Sequence, residues 1–414
     1  MLPPVLEVQV VWHPGDTQGQ AIAQEFIEHF HGTGFSGLIG GAIEVYVRSE
    51  GWRSMGDAPR PIPFQDGAVS CGMRAARFVA VVPLVGDEMA MAAGDDASAW
   101  HQYLQIIAMA QEAEPERVGV FPYLLDAGAM NCTQVGMILE RSQRIAANDL
   151  TEGETPAMIR CRELTQGIAN LVGQSDKRLT VFISHTKRHS MEEGQNVRAI
   201  IATLQDILAQ TRLGRFFDAN DLEPGQNWDN ELRQQAGSSA LLAIRTDLYP
   251  SREWCQREIA IAKRAGMPVV IVDALGDVEE RGSFLMDHVP RVRARLENGQ
   301  WRKADIHRAL GLLVDECAKR ALWSRQQELA HKEGTIRVSW WAPHAPEPIT
   351  LTHWLAWAGP QGKLPGRDED FVILHPDPPL GPEEMAVLQE ILRLSGIANR
   401  LDVMTPRLLA ARGG

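Results

Sequence analysis

Short, uninterrupted apolar runs alternate along this chain with longer segments whose apolar positions recur every three to four residues. Ala240-Leu-Leu-Ala-Ile244 is one such run, flanked by polar turns, and its length and continuity suit a strand buried on both faces. The turn Arg245-Thr-Asp-Leu-Tyr-Pro250 leads from its carboxyl end into a segment that Ser251 can cap as a helix. On that helix Cys255, Ile259 and Ala262 form a core-facing stripe, while Trp254 and Glu258, four residues apart, share the other face. Ligands of open α/β sheets bind at the carboxyl edge of the strands, so an aromatic ring beside an acid here is a candidate nucleotide site. Gly266 and Pro268 end the helix, and Val269-Val-Ile-Val272 is the next buried strand. A long helix follows from about Arg302, with Ile306, Leu310, Leu313, Cys317 and Ala321 in register.

The first third has the same alternation. Val8 to Trp12, Ile43 to Val47, Arg77 to Pro83 and Val118 to Phe121 read as strands, and Gln20 to Phe30 and Ser98 to Ile107 as helices. Such an order predicts a parallel sheet with right-handed crossovers. Thr155 to Val172 reads as a connecting helix with Met158, Cys161, Leu164 and Ile168 on one face, followed by the polar hinge Gly173 to Lys177. The carboxy-terminal residues, with Ile336 to Trp341, Phe371 to Leu374, the helix Pro382 to Leu394 and Leu401 to Met404, predict a small α/β module. Its Trp340, Trp341, Trp354 and Trp357 could make an aromatic ligand surface, and core or interface packing is the preferred reading. The expected division is 1–150, a connector at 151–176, a second α/β domain at 177–328 and the module at 329–414.

With 414 residues and 44% apolar content there is chain enough for two or three cores. No apolar run approaches the roughly 20 residues that cross a membrane, and the start Met1-Leu-Pro-Pro4 lacks a basic signal region, so a cytoplasmic protein is expected. Five scattered cysteines without metal spacing fit reduced thiols. A net charge of −12 opposes direct nucleic-acid or anionic-membrane binding. The basic cluster Arg291, Arg293 and Arg295 reads as a solvated helix or loop face, and His13, His29 and His31 as surface histidines rather than a metal site. Gly32-Thr-Gly-Phe-Ser-Gly37 spells a dinucleotide fingerprint but follows a helix instead of a strand, where no helix amino terminus can meet a pyrophosphate.

Three blocks in order resemble a TIR (Toll/interleukin-1 receptor) domain over roughly residues 178–322. They are Leu179-Thr-Val-Phe-Ile-Ser184-His185, a strand ending in small polar residues; Phe216-Phe-Asp218 through Pro224-Gly225 to Trp228, similar to the mobile loop after the second strand; and Ser251-x-x-Trp254-Cys255-x-x-Glu258, similar to the family signature at every defined position. The resemblance implies a flavodoxin-like parallel sheet. It further implies a bacterial-type effector that cleaves NAD between nicotinamide and ribose, with NAD as substrate and no cofactor. Glu258 would then face the oxocarbenium-like ribose and Trp254 stack on a substrate ring. Ser184 and His185 would lie beside ribose or phosphates, with Asp218 and Gly225 shaping the loop over the site. Bland readings stand beside these: Glu258 as a surface acid paired with Arg252 or Arg257, Trp254 as core, His185 as a strand-end residue and Asp218 as a turn residue. The resemblance also implies defence against phage, self-association through TIR domains, and an upstream activating protein or nucleotide signal as trigger. It leaves linear and cyclic ADP-ribose products equally open, and a non-catalytic scaffold is the alternative. With Trp100 laid on Trp254, Leu104 falls where Glu258 stands, so the amino-terminal domain reads as TIR-like without the acid.

Overall fold

The computed structural model describes residues 4–412 except 36, 37, 39–42, 55, 56, 65–68, 71, 72, 75, 127, 130, 131, 141, 143, 146–151, 175–178, 187–190, 212, 214, 215, 219–238, 277–281, 334–336, 367, 368, 377 and 398. Two compact units emerge: residues 1–36, 40–150 and 155–176 form the first, and 37–39, 151–154 and 177–414 the second.

In the first unit β1 (Leu6–Trp12), β2 (Ile43–Arg48), β3 (Phe78–Val85) and β4 (Val118–Val120) make a parallel sheet in the order β2-β1-β3-β4. Every residue of β1 and β3 is buried, as both-face burial of a parallel sheet requires. Strand β3 runs two residues past Pro83, where the sequence suggested its end. Val81 and Val85 accept hydrogen bonds from Phe121 and Leu125, so by alternation Pro83 turns its missing donor toward the Phe121-Pro122 break, where no ladder bond is lost. Helix α1 (Gly19–Phe30) buries Ile22, Ala23 and Phe26, and α2 (Ala99–Ala113) is capped by Ser98, whose Oγ accepts from His101 N at 3.0 Å.

Helix α3 (Pro156–Gly173), expected as a connector, is built into this unit. It packs on α1, β3 and β4, and Arg160 donates to both carboxylate oxygens of Glu25 on α1 at 2.6 and 2.7 Å. Gly119 and Gly167 face the Phe121 ring from two sides; a Cβ on Gly167 would lie 2.4 Å from Phe121 Cε1. Glycine to alanine inside a helix ordinarily stabilises by roughly 0.5–1 kcal/mol. Here Gly167→Ala is expected to destabilise the first unit by about 1–3 kcal/mol through overpacking. Urea unfolding read on this unit checks the sign; a stabilised variant would mean that Phe121 yields freely.

The second unit carries β5 (Thr180–Ser184), α4 (Met191–Gln210), β6 (Phe216–Asp218), β7 (Ser239–Arg245), α5 (Glu253–Arg264), β8 (Val269–Asp273), β9 (Arg291–Arg293) and α6 (Lys303–Glu333). Its parallel sheet has the order β9-β8-β7-β5-β6, the flavodoxin-like arrangement. Alternate strand residues go to opposite layers. Val181, Ile183, Leu242, Ile244 and Val270 pack with Ile200, Leu204 and Leu310 from α4 and α6. Phe182, Leu241, Ala243 and Ile271 pack with Cys255, Ile259 and Ala262 from α5. The basic cluster is corrected here: Arg291 and Arg293 flank buried Val292 on edge strand β9, and charged side chains on a sheet edge oppose pairing with another chain.

Helix α6 continues beyond the expected close of its domain to Glu333, where buried Trp323 meets Trp341 with ring centroids 5.4 Å apart. Beyond it β10 (Trp340–Trp341), α7 (Pro348–Ala358), β11 (Phe371–Leu374), α8 (Pro382–Leu394) and β12 (Leu401–Met404) form a parallel three-stranded module, order β10-β11-β12. Leu351, Phe371, Ile373, Leu388 and Leu392 are its core. The hydrophobic pattern did not suggest α7, because its Ile349, Leu351, Trp354, Leu355 and Trp357 spread apolar positions around the helix.

Candidate active site

The carboxyl ends of β5 and β7 lie side by side, with Ala243 opposite Ser184 in register. After β7 the chain makes a one-turn 3-10 helix, Tyr249–Ser251, and α5 begins at Glu253. Ser251 therefore does not cap α5. Its Oγ donates to Leu248 O at 2.8 Å, a local bond that competes with capping; Arg252 holds the N-cap position without a side-chain bond.

Glu258 is 2% exposed and lies on the side of α5 that faces the core with Cys255, Ile259 and Ala262. Its Oε2 accepts from Ser184 Oγ, and Ser184 Oγ is 2.6 Å from the hydroxyl of Tyr249. An ionised carboxylate only accepts, which orders the chain as Tyr249 O–H to Ser184 Oγ, and Ser184 O–H to Glu258. Tyr249 is fully buried, and this desolvation, reinforced by Cys255 and Glu258, holds its phenol well above its ordinary pKa. It stays a donor throughout the working pH range. The end of β5, the 3-10 turn after β7 and α5 are thus tied through the Ser184 hydroxyl.

Trp254 departs from the shared face. At 100° per residue it sits about 40° from Glu258, enough to leave it 41% exposed, with the Arg257 guanidinium 5.6 Å from its ring centroid. The core reading of Trp254 and the surface reading of Glu258 both fail on these exposures. His185 follows the strand half-buried, its Nδ1 3.1 Å from Thr186 O, a contact that suits an Nδ1–H donor. Thr186 and Thr246, both buried, approach at 3.4 Å between hydroxyls where the two strands end. Asp218 ends β6 opposite Ile183, one residue short of Ser184 along the neighbouring strand. Gly225 lies outside the described residues.

The loops beside this edge are pinned. Arg245 and Asp273, paired in register, form an ion pair at 2.9 Å, and Asp247 accepts from Gly276 N at 2.9 Å. Sequence reasoning gave no role to Tyr249, Thr186 or Thr246; a tyrosine beside a proline in a polar turn was the one available signal for Tyr249. In the first unit Trp100 is buried and Leu104 fully so.

Residues 181–307 match the family model for the TIR domain. No curated protein matches the chain. Among solved structures, the tagatose-6-phosphate ketose/aldose isomerase of Escherichia coli aligns over 79% of this chain and 84% of its own, at 9% identity and a TM-score of 0.19; so low a score bears on neither fold nor function.

Proposed function

We propose, from the TIR domain that residues 181–307 match, that this chain cleaves NAD between nicotinamide and ribose. The supporting observation is the carboxylate of Glu258, held at the carboxyl edge of β5 by the Ser184 hydroxyl, which in turn accepts from Tyr249. In this reading the glycosidic electron pair leaves with the pyridine nitrogen, so nicotinamide departs neutral and needs no strong acid. The ribose carbon becomes oxocarbenium-like, and a fixed negative charge beside it lowers the barrier. Water then adds and releases a proton, giving ADP-ribose, or the adenine adds and the product is cyclic. Ser184 and Tyr249 are positioning residues for the carboxylate. Trp254, exposed next to it, stacks on a substrate ring, and His185 lies beside the ribose or phosphates. NAD depletion of this kind suits antiviral defence.

A non-catalytic interaction module is the second reading, and the burial of Glu258 favours it, since a satisfied buried acid can be purely structural. Purified chain incubated with NAD separates the two: nicotinamide is released in the first reading and not in the second. Residues 1–176, with Leu104 in place of the acid, are expected to release none; hydrolysis by that fragment would refute the silent assignment. We further propose activation by assembly, since a constitutively active enzyme of this kind would exhaust its own cell. Specific activity should then fall as the protein is diluted. Activity that stays constant at concentrations where light scattering reports only monomer excludes this.

A further inference from the structure

The amino edge of the second sheet faces a cavity of about 300 Å³, walled by the end of α5, by α6 and by the carboxy-terminal module. From α7 it takes Thr350, His353, Trp354 and Trp357, the i, i+3, i+4, i+7 stripe that a helix normally spends on its core. The module core takes Leu351 from this helix, with Trp354 and Leu355 packed against it.

The walls are cationic. Lys263, Arg264 and Arg320 line them, and among the described residues no carboxylate does. Lys263 is engaged by Glu347 Oε2 at 2.8 Å and Asp287 O at 2.7 Å. Arg320 donates through Nη2 to Ala265 O at 3.3 Å, while its Nη1 is buried without a hydrogen-bond partner. A buried guanidinium N–H left unmade is costly, and it marks where an acceptor belongs. His344, half-buried in the same wall, has its pKa pushed down to about 3 mainly by desolvation, with Arg320, Lys319 and Lys263 adding to it.

The walls are also aromatic. Trp354 stacks on Trp340 with centroids 5.4 Å apart and 22° between planes, and meets Phe371 edge-on at 5.5 Å. Trp357 is 44% exposed, and the Lys363 ammonium lies 4.3 Å from its ring centroid. Flat rings offer stacking and unneutralised guanidinium groups offer anion binding, a combination that fits a planar base carrying phosphate. The volume is at the lower end for ligand sites, about that of one small ligand.

We propose that this cavity binds a nucleoside monophosphate, the phosphate on Arg320 and Arg264 and the base against Trp357. The site is separate from Glu258. Gly266 in its wall belongs to the turn that enters β8 at its amino end, whereas Glu258 bonds Ser184 at the carboxyl end of β5. The inference therefore holds whether or not Glu258 cleaves NAD.

The test titrates the full-length chain calorimetrically with adenosine 5′-monophosphate, and in parallel with adenosine and inorganic phosphate. Saturable nucleotide binding is expected, with adenosine and phosphate each at least about tenfold weaker. Arg264→Gln and Trp357→Ala alter exposed side chains, so the fold survives them, and each is expected to weaken the nucleotide roughly tenfold. Arg320→Gln removes the unpartnered donor and is expected to weaken it most, while Glu258→Gln binds unchanged. Failure to saturate at millimolar nucleotide, equal binding of phosphate or adenosine, or insensitivity to both Arg264→Gln and Trp357→Ala would each overturn the assignment.

Discussion

Glu258→Gln is expected to abolish NAD cleavage, lowering kcat by about a thousandfold or more, while the unfolding transition of the second unit stays close to that of the parent chain. The amide is nearly isosteric and still accepts from the Ser184 hydroxyl, but it supplies no negative charge to the ribose cation. Its amino group adds two donors to a place built around an acceptor, so some loss of stability accompanies the loss of rate. Ser184→Ala should lower kcat less, since it leaves the charge and removes only its orientation. Trp254→Ala, at an exposed ring, should raise KM and leave kcat largely intact. Nicotinamide release at the parent rate by a well-folded Glu258→Gln protein would eliminate the catalytic assignment and leave the scaffold reading.

The largest effect on stability is expected from Lys263→Met. Lys263 and Glu347 are both buried and bonded at 2.8 Å, and Glu347 Oε1 has no further partner. Removing the ammonium strands a carboxylate in the interior, at a cost of about 3–5 kcal/mol to the second unit. The pH behaviour of the pair points the same way. Burial raises the Glu347 carboxyl above its ordinary value, with Lys263 only partly opposing it. The folded chain therefore holds a proton above pH 4.5 that the unfolded chain has released, and the contribution of this group to stability declines as pH rises through its folded pKa. Burial lowers Lys263, with Glu347 opposing, so its contribution improves as pH climbs from that lowered value toward 10.5. In both groups burial is the largest cause and outweighs the partner's attraction. Lys263→Met with Glu347→Leu should therefore recover most of the stability lost by Lys263→Met alone. Chemical denaturation followed through the second unit measures both variants. A single variant within about 1 kcal/mol of the parent would show that Glu347 is neutralised or rehydrated without its partner.

Strand and helix identities along most of the chain were legible from local patterning alone. Ala240 to Ile244, Val269 to Val272 and Phe371 to Leu374 are strands as read, and Gly19 to Phe30 and Pro382 to Leu394 are helices. Uninterrupted apolar runs and 3.6-residue periodicity report burial directly. The TIR assignment was likewise carried by short spacings, Ser251-x-x-Trp254-Cys255-x-x-Glu258 above all. What escaped depended on which element lies opposite. Trp254 and Glu258 stand about 40° apart on one helix, and only the position of β5 and Tyr249 decides that the acid turns inward to Ser184 while the ring stays at the surface. Ser251 met the sequence rule for a cap, yet the 3-10 turn before it offered Leu248 O first. The short basic run 291–293 became an edge strand because β8 supplied a ladder to join, and α7 formed among residues with no amphipathic signal because α5 and α8 pack against it. Sequence periodicity encodes the axis and the buried side of each element; the partner across a gap is set by packing of residues distant in the chain, and a single sequence holds no local record of that.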